Sequence, residues 1–266
     1  MKRLIIFIII TASFAFSCSE KQDPDPEVEG KILILMYHRL VEGEAGNTYE
    51  RSRTDFISDM EYLKNHDIKV IDFDELDKIL ASETMPHKNC AIITFDDGDH
   101  SWYTIARPLL LEYGYCATFF LWTNMMGRDS FLGWNEIENM SFLTLPGGFR
   151  PFRFESHSFS HPYLLDRRAG FESDTEYNLF LDYELRESKA DIDAHTPEPV
   201  SVLALPYGNG AGDEIIMEAA SRNGYKLIRT SVYGAIEDTD TNPFILPAFP
   251  VLDVTASDEI GYYLGF

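Results

Sequence analysis

Apolar, β-rich runs recur along the chain at 31–37, 68–71, 90–95, 117–122, 152–155, 200–205 and 226–230, built mostly of branched and aromatic side chains. Runs this short and this uniformly apolar predict strands buried on both faces. Between them, apolar residues return at three- and four-residue spacing over 55–65, 74–81, 103–113, 135–140, 172–192 and 213–223, which predicts amphipathic helices, the first of them capped by Thr54. Strands alternating with helices call for a parallel sheet with crossover connections. Seven strands of similar length, without a Gly-x-Gly-x-x-Gly turn, favour closure into a (β/α) barrel over an open doubly wound sheet. The expected fold class is therefore α/β, and no short internal period points to a solenoid.

The first thirty residues break this pattern. Lys2 and Arg3 precede an apolar run over 4–10 that continues to Phe16, the layout of a secretory signal and too short to span a membrane comfortably as a helix. Ala15-Phe16-Ser17-Cys18 resembles a bacterial lipoprotein cleavage box, with Ala15 where leucine is usual. Residues 1–17 are thus expected to form a signal peptide and Cys18 to carry lipid. Residues 18–30, acidic and containing Pro24 and Pro26, have the composition of a solvated tether. Residues 31–266 then form one catalytic domain of an exported bacterial envelope lipoprotein, periplasmic or at the cell surface.

Composition narrows the partners. Forty-four acidic against 22 basic residues give a formal charge of −22, a field that repels nucleic-acid phosphates. Excess carboxylates keep an exported protein soluble, and they would also attract a cationic ligand. With Cys18 set apart, Cys90 and Cys116 are the only internal cysteines. Neither lies in a metal-ligand spacing, and two buried free thiols are expected.

Functional groups of parallel α/β folds gather at the C-terminal ends of strands, and four of the predicted strands end in polar residues that burial alone would not select. One ends in Thr94-Phe95-Asp96-Asp97-Gly98, two adjacent carboxylates that are costly beside a core unless a cation or shared proton neutralises them. Another ends in Glu155-Ser156-His157-Ser158-Phe159-Ser160-His161, where a helical turn would aim both imidazoles the same way. Two neutral imidazoles and a carboxylate make a three-ligand site with open positions, the pattern of catalytic zinc and related divalent ions. A third ends in Leu205-Pro206-Tyr207-Gly208, a turn able to aim a backbone amide and a phenol into the same mouth. The first ends in Met36-Tyr37-His38-Arg39, adding a histidine at that edge. These are the parts of metal-assisted hydrolysis, and without a Gly-x-Ser-x-Gly elbow covalent catalysis is disfavoured.

The Thr-Phe-Asp-Asp-Gly segment, the His-Ser-x-x-His pair and the Pro-Tyr-Gly turn, in that order, resemble those of the NodB-homology polysaccharide deacetylases. Ala117-Thr118-Phe119-Phe120 and Leu132-Gly133-Trp134-Asn135-Glu136 extend the resemblance, which runs from about Ile32 to about Val251. It implies a distorted (β/α) barrel, Asp96 as catalytic base, and Asp97, His157 and His161 as ligands of a divalent metal, zinc by family. The Tyr207 backbone N–H would help hold the oxyanion. Most of the family carries its acid histidine in a C-terminal Leu-x-x-His-Asp segment, which has no counterpart after Phe249, and His195 does not fit that role. The branch acting on poly-N-acetylglucosamine uses instead an early histidine after a Met-Tyr-His strand, which implies His38 as the general acid.

Two positions depart from the family pattern. Ala204 and Ala248 stand where many relatives carry arginine, so an orienting cation beside Asp96 is expected to be missing. The resemblance implies an acetylated polysaccharide substrate and removal of N-acetyl groups from a hexosamine glycan. An O-acetyl esterase on the same machinery, or a glycan-binding lipoprotein that turns over weakly, remain as alternatives. Trp102, Trp122 and Trp134 lie near the motifs and read either as sugar-stacking rings or as core.

Overall fold

The computed structural model describes residues 29–266. The signal segment 1–17, Cys18 and all of the tether except its last two residues lie outside the described residues. Ten strands are present: β1 (Ile32–Tyr37), β2 (Arg39–Val41), β3 (Glu50–Ser52), β4 (Lys69–Val70), β5 (Cys90–Asp97), β6 (Ala117–Leu121), β7 (Phe152–Ser156), β8 (Val202–Ala204), β9 (Leu227–Arg229) and β10 (Phe249–Pro250). The helices are α1 (Arg53–Asn65), α2 (Phe73–Ser82), α3 (Arg107–Tyr113), α4 (Trp134–Ser141), α5 (Leu164–Arg167), α6 (Asp174–Asp193), α7 (Glu214–Arg222) and α8 (Glu259–Leu264).

All seven predicted strands exist, and their parallel pairing gives the order β10-β1-β5-β6-β7-β8-β9, with β4 on the lower half of the β5 edge that β6 takes over above. The strand period of two sorts β1 into two cores. Ile32, Ile34 and Met36 join Ile92, Phe120, Val202 and Leu227 inside the curled sheet, whereas Leu33, Leu35 and Tyr37 pack outward under the helices. Burial on both faces is why these strands read as continuous apolar runs. The chain after β9 spans the remaining gap: the Leu246 N–H donates to the Ile228 carbonyl, and the Val251 N–H to that of Met36. The arrangement is the expected (β/α) barrel.

Local signals set the helix ends within a few residues of expectation. Helix α1 begins two residues earlier than predicted, because Ser52 and not Thr54 accepts from the Asp55 N–H. Asp72 and Asp213 cap α2 and α7 in the same way. The predicted helix over 103–113 is split into a π-helical turn at Trp102–Ala106 followed by α3, since Pro108 has no N–H to continue the regular ladder. Cys90 and Cys116 are both free and buried. No helix among the described residues is long and apolar enough to cross a membrane.

Candidate metal-binding and hydrolytic site

Because the strands run parallel, the ends of β1, β5, β7, β8 and β9 meet at one edge, around a cleft of about 560 Å³ lined by His38, Asp96, Asp97, His157, His161, Tyr207 and Arg229 among others. All six residues singled out from the sequence therefore share one mouth. In β5 the pleat that turns Ile92 inward also turns Asp96 inward, and Asp97 follows only because its backbone leaves the strand at φ +88°. Gly98 continues that exit at φ +104°.

Donor atoms of Asp97, His157 and His161 lie within 4.8 Å of one another. The nearer imidazole nitrogens, Nε2 of His161 and of His157, are 3.3 Å and 3.6 Å from Asp97 Oδ1. His157 is buried, and its Nδ1 sits 2.8 Å from the carbonyl of Ala204, which can only accept. That fixes the proton on Nδ1 and leaves the Nε2 lone pair toward the cleft. Burial also pushes the His157 pKa down to about 4, so the ring is neutral at physiological pH, as a ligand must be. For Asp97 burial pushes the other way, but the hydrogen bond from His161 and the charges of His157, His38 and His161 hold its carboxyl well below the usual range.

The two imidazoles do not converge on a helical turn, as the i, i+4 spacing suggests. Ser158 and His161 both adopt the left-handed region, at φ +62° and +57°, and the rings meet edge to face with centroids 4.6 Å apart. A ladder of serines makes the turn. Ser156 Oγ, which hydrogen-bonds Ser188 of α6, accepts from the Ser158 N–H, and Ser158 Oγ accepts from the His161 N–H. The buried Glu184, also on α6, takes the rest: its carboxylate accepts from the Ser160 N–H at 2.7 Å and from Ser160 Oγ, and its carbonyl from the Phe159 N–H.

Asp96 is 2% exposed, which a carboxylate tolerates only with a counter-charge. Arg229, 1% exposed, supplies it: Nη2 donates to Asp96 Oδ2, and the guanidinium lies over the Phe120 ring. The expectation of a missing cation is therefore corrected. Ala204 is the register partner of Arg229 across β8 and β9, both facing inward, and Ala248 is buried in the same inner core. The charge absent from 204 and 248 enters from the neighbouring strand. Asp96 Oδ1 remains buried with no protein partner, as does His38 Nδ1.

His38 is held at its carbonyl by Trp102 Nε1–H and at its ring by Tyr49, 4.9 Å away. Tyr207 sits at φ +58° between Pro206 and Gly208, and its N–H donates to no protein acceptor among the described residues. Trp102 is core, Trp122 stacks on His161, and Trp134 stacks on His195, which bonds Glu138 and does not line the cleft. The neutral His157 ring, the His161 imidazole and the Asp97 carboxylate suit zinc or a related divalent ion, and the unpartnered Asp96 Oδ1 beside them suits a water. The fit to a metal site is good.

A sequence profile of the family described as polysaccharide deacetylase matches residues 83–228. The poly-beta-1,6-N-acetyl-D-glucosamine N-deacetylase of Staphylococcus aureus strain MRSA252 is 24% identical over 284 residues, covering 99% of this chain and 94% of that protein. Among solved structures, the Streptococcus pyogenes deacetylase PplD in complex with acetate superposes with a TM-score of 0.75 at 20% identity, covering 90% of this chain and 100% of the other. IcaB from Ammonifex degensii gives 0.72 at 21% identity, covering 90% and 98%.

Proposed function

The chain belongs to the polysaccharide deacetylase family, and on that premise we propose that it removes N-acetyl groups from a hexosamine glycan by attack of water, using a divalent metal, zinc by its ligand chemistry. The observation that carries this reading is the convergence of the Asp97, His157 and His161 donor atoms beside the buried Asp96–Arg229 pair at one barrel mouth. The name of the staphylococcal relative supports the choice of an N-acetylated sugar.

Asp97, His157 and His161 would hold the metal. A divalent ion held there would supply Lewis-acid polarisation of the acetyl carbonyl and would lower the pKa of water enough for attack at neutral pH. Asp96 is the base: Arg229 fixes Oδ2, so Oδ1, free of protein partners, is the oxygen that takes the proton. The Tyr207 N–H donates to the carbonyl oxygen as negative charge grows there. His38 delivers a proton to the departing amine, so that the products are acetate and a free amino sugar. The glycan-binding alternative rested on Ala204 and Ala248, and Arg229 removes that ground, because a buried counter-charge for Asp96 is present.

The segment 1–30 supports an exported lipoprotein anchored through Cys18. A Cys18→Ala variant that leaves the membrane fraction would agree with this, and one that stays would not. For the reaction, acetate release is measured with added zinc on N-acetylglucosamine oligomers and on O-acetylated xylan, with Asp96→Asn as control. Release from the oligomers by the wild type alone is expected. Release from xylan alone selects the esterase reading, and release by neither substrate contradicts both.

A further inference from the structure

The segment that carries Asp96 and Asp97 also reaches His38. After these two carboxylates the chain leaves β5 through Gly98, and the next four residues meet the exit of β1. Trp102 Nε1–H donates to the His38 carbonyl at 2.6 Å, and Ser101 Oγ accepts from the Leu40 N–H at 2.9 Å. Asp99 completes the grip: its Oδ2 lies 3.6 Å from Arg39 Nε, and its Oδ1 accepts from the Ser101 N–H. Residues 38, 39 and 40 are thus each tied to the stretch 99–102.

His38 needs that tie. The ladder of β1 on β5 ends at the Tyr37–Phe95 pair, so His38 lies past the last sheet pairing, and its buried Nδ1 has no protein partner. Its ring meets Tyr49, which is itself 59% exposed and a poor rigid support. Trp102 is the opposite. It is fully buried, and its indole packs against Phe95 and Phe119 with ring centroids 5.8 Å and 5.2 Å away. Phe95 directly precedes Asp96, so one buried ring rests on the strand that carries the base and holds the residue that carries the acid. Packing alone would be served by a phenylalanine; the indole N–H is the part that reaches His38. The π-helical turn that begins at Trp102 fits this role, since such insertions recur at functional sites.

We propose that Trp102 is a positioning residue that holds His38 where it can protonate a departing amine, and so makes the site competent for amides as well as for activated esters. This rests on the deacetylase reading of the same site, with His38 as its acid. An amide C–N bond breaks only as its nitrogen takes a proton, whereas 4-nitrophenyl acetate releases its phenolate without one. Loosening His38 should therefore slow the amide much more than the ester.

The test is Trp102→Phe, which keeps an aromatic ring in the core and removes the N–H donor. With zinc added, kcat for acetate release from N-acetylglucosamine oligomers should fall about tenfold or more, at a KM within about twofold of wild type. The ratio of that kcat to kcat on 4-nitrophenyl acetate should fall by about tenfold as well. In a His38→Gln background the same substitution should change amide turnover by less than about twofold, because Trp102 acts through His38. Ser101→Ala, which frees the Leu40 N–H, should act in the same direction, and it carries the test if Trp102→Phe does not fold. An unchanged amide-to-ester ratio, or losses that multiply in the double variant, would overturn the proposal. Wild-type amide turnover in His38→Gln would remove the acid, and the proposal with it. If the wild type releases no acetate, the deacetylase reading has failed separately, and a crystal structure of Trp102→Phe decides on the hold: His38 displaced or in two conformers supports it, and His38 unmoved overturns it.

Discussion

Arg229 stands directly across from Ala204 in the β8–β9 register, and its guanidinium reaches over the barrel interior to the carboxylate of Asp96, 133 residues away in sequence. The two small side chains at 204 and 248 and the arginine at 229 make one coherent inner face. A buried carboxylate thus keeps its counter-charge although the strand that would supply it by family pattern does not.

Removing that charge should therefore damage both folding and turnover. Arg229→Ala leaves Asp96 buried and unpaired, which costs about 3–5 kcal/mol of stability. Acetate release is expected to fall by roughly 10²-fold or more, the usual worth of a positioned base. The double variant Arg229→Ala/Ala204→Arg should recover part of both losses, because residue 204 is the register partner and faces the same interior. Thermal melts and acetate assays on the three proteins check this. A double variant no better than Arg229→Ala would show that residue 204 no longer reaches Asp96.

Glu184 should matter to metal affinity without touching the metal. Its carboxylate holds Ser160 at both N–H and Oγ, one residue from His161. Glu184→Ala should weaken zinc binding by about 10–100-fold, the range for outer partners of metal ligands. Glu184→Gln, whose amide can still accept from the Ser160 N–H, should stay within a few-fold of wild type. Competition with a chromogenic chelator measures both. Equal affinity in wild type and Glu184→Ala, with only the melting temperature changed, would reduce Glu184 to a packing role.

The internal thiols should be inert in the native protein. Burial pushes the Cys90 pKa up to about 11 and that of Cys116 up to about 12. Both are raised, so each stays a protonated thiol below those values, and almost no thiolate exists at pH 8. In protein lacking Cys18, a thiol reagent at pH 8 is expected to find no fast-reacting group until denaturant exposes two. The same linkage makes stability fall as pH rises from about 9 toward 12. Rapid labelling of the native state would contradict the burial of these residues.

The barrel and the six candidate residues were legible because each rests on a local cue. Uniform apolar runs mark strands buried on both faces, and rare residue types placed just after such runs mark the strand ends. Where structure depends on a distant partner, the sequence was mute. Strands β2, β3 and β10 are two or three residues long and exist only through pairing with each other or with β1. Arg229 is the instructive miss. A charge inside the apolar run 226–230 is conspicuous, and the same period of two that faces Leu227 inward faces Arg229 inward as well. Its partner, however, is reached only by folding. The helical placement assumed for His157 and His161 failed for a related reason: Ser158 and His161 are held at positive φ by serine and Glu184 contacts, which spacing alone cannot reveal.

The most direct measurement is acetate release from N-acetylglucosamine oligomers by protein stripped with a chelator and then titrated with zinc. Activity should be absent from the stripped protein and return in full at about one equivalent of zinc, with Asp97→Asn and His157→Ala failing to recover it at that ratio. Undiminished acetate release from protein shown by elemental analysis to be free of metal would contradict the account.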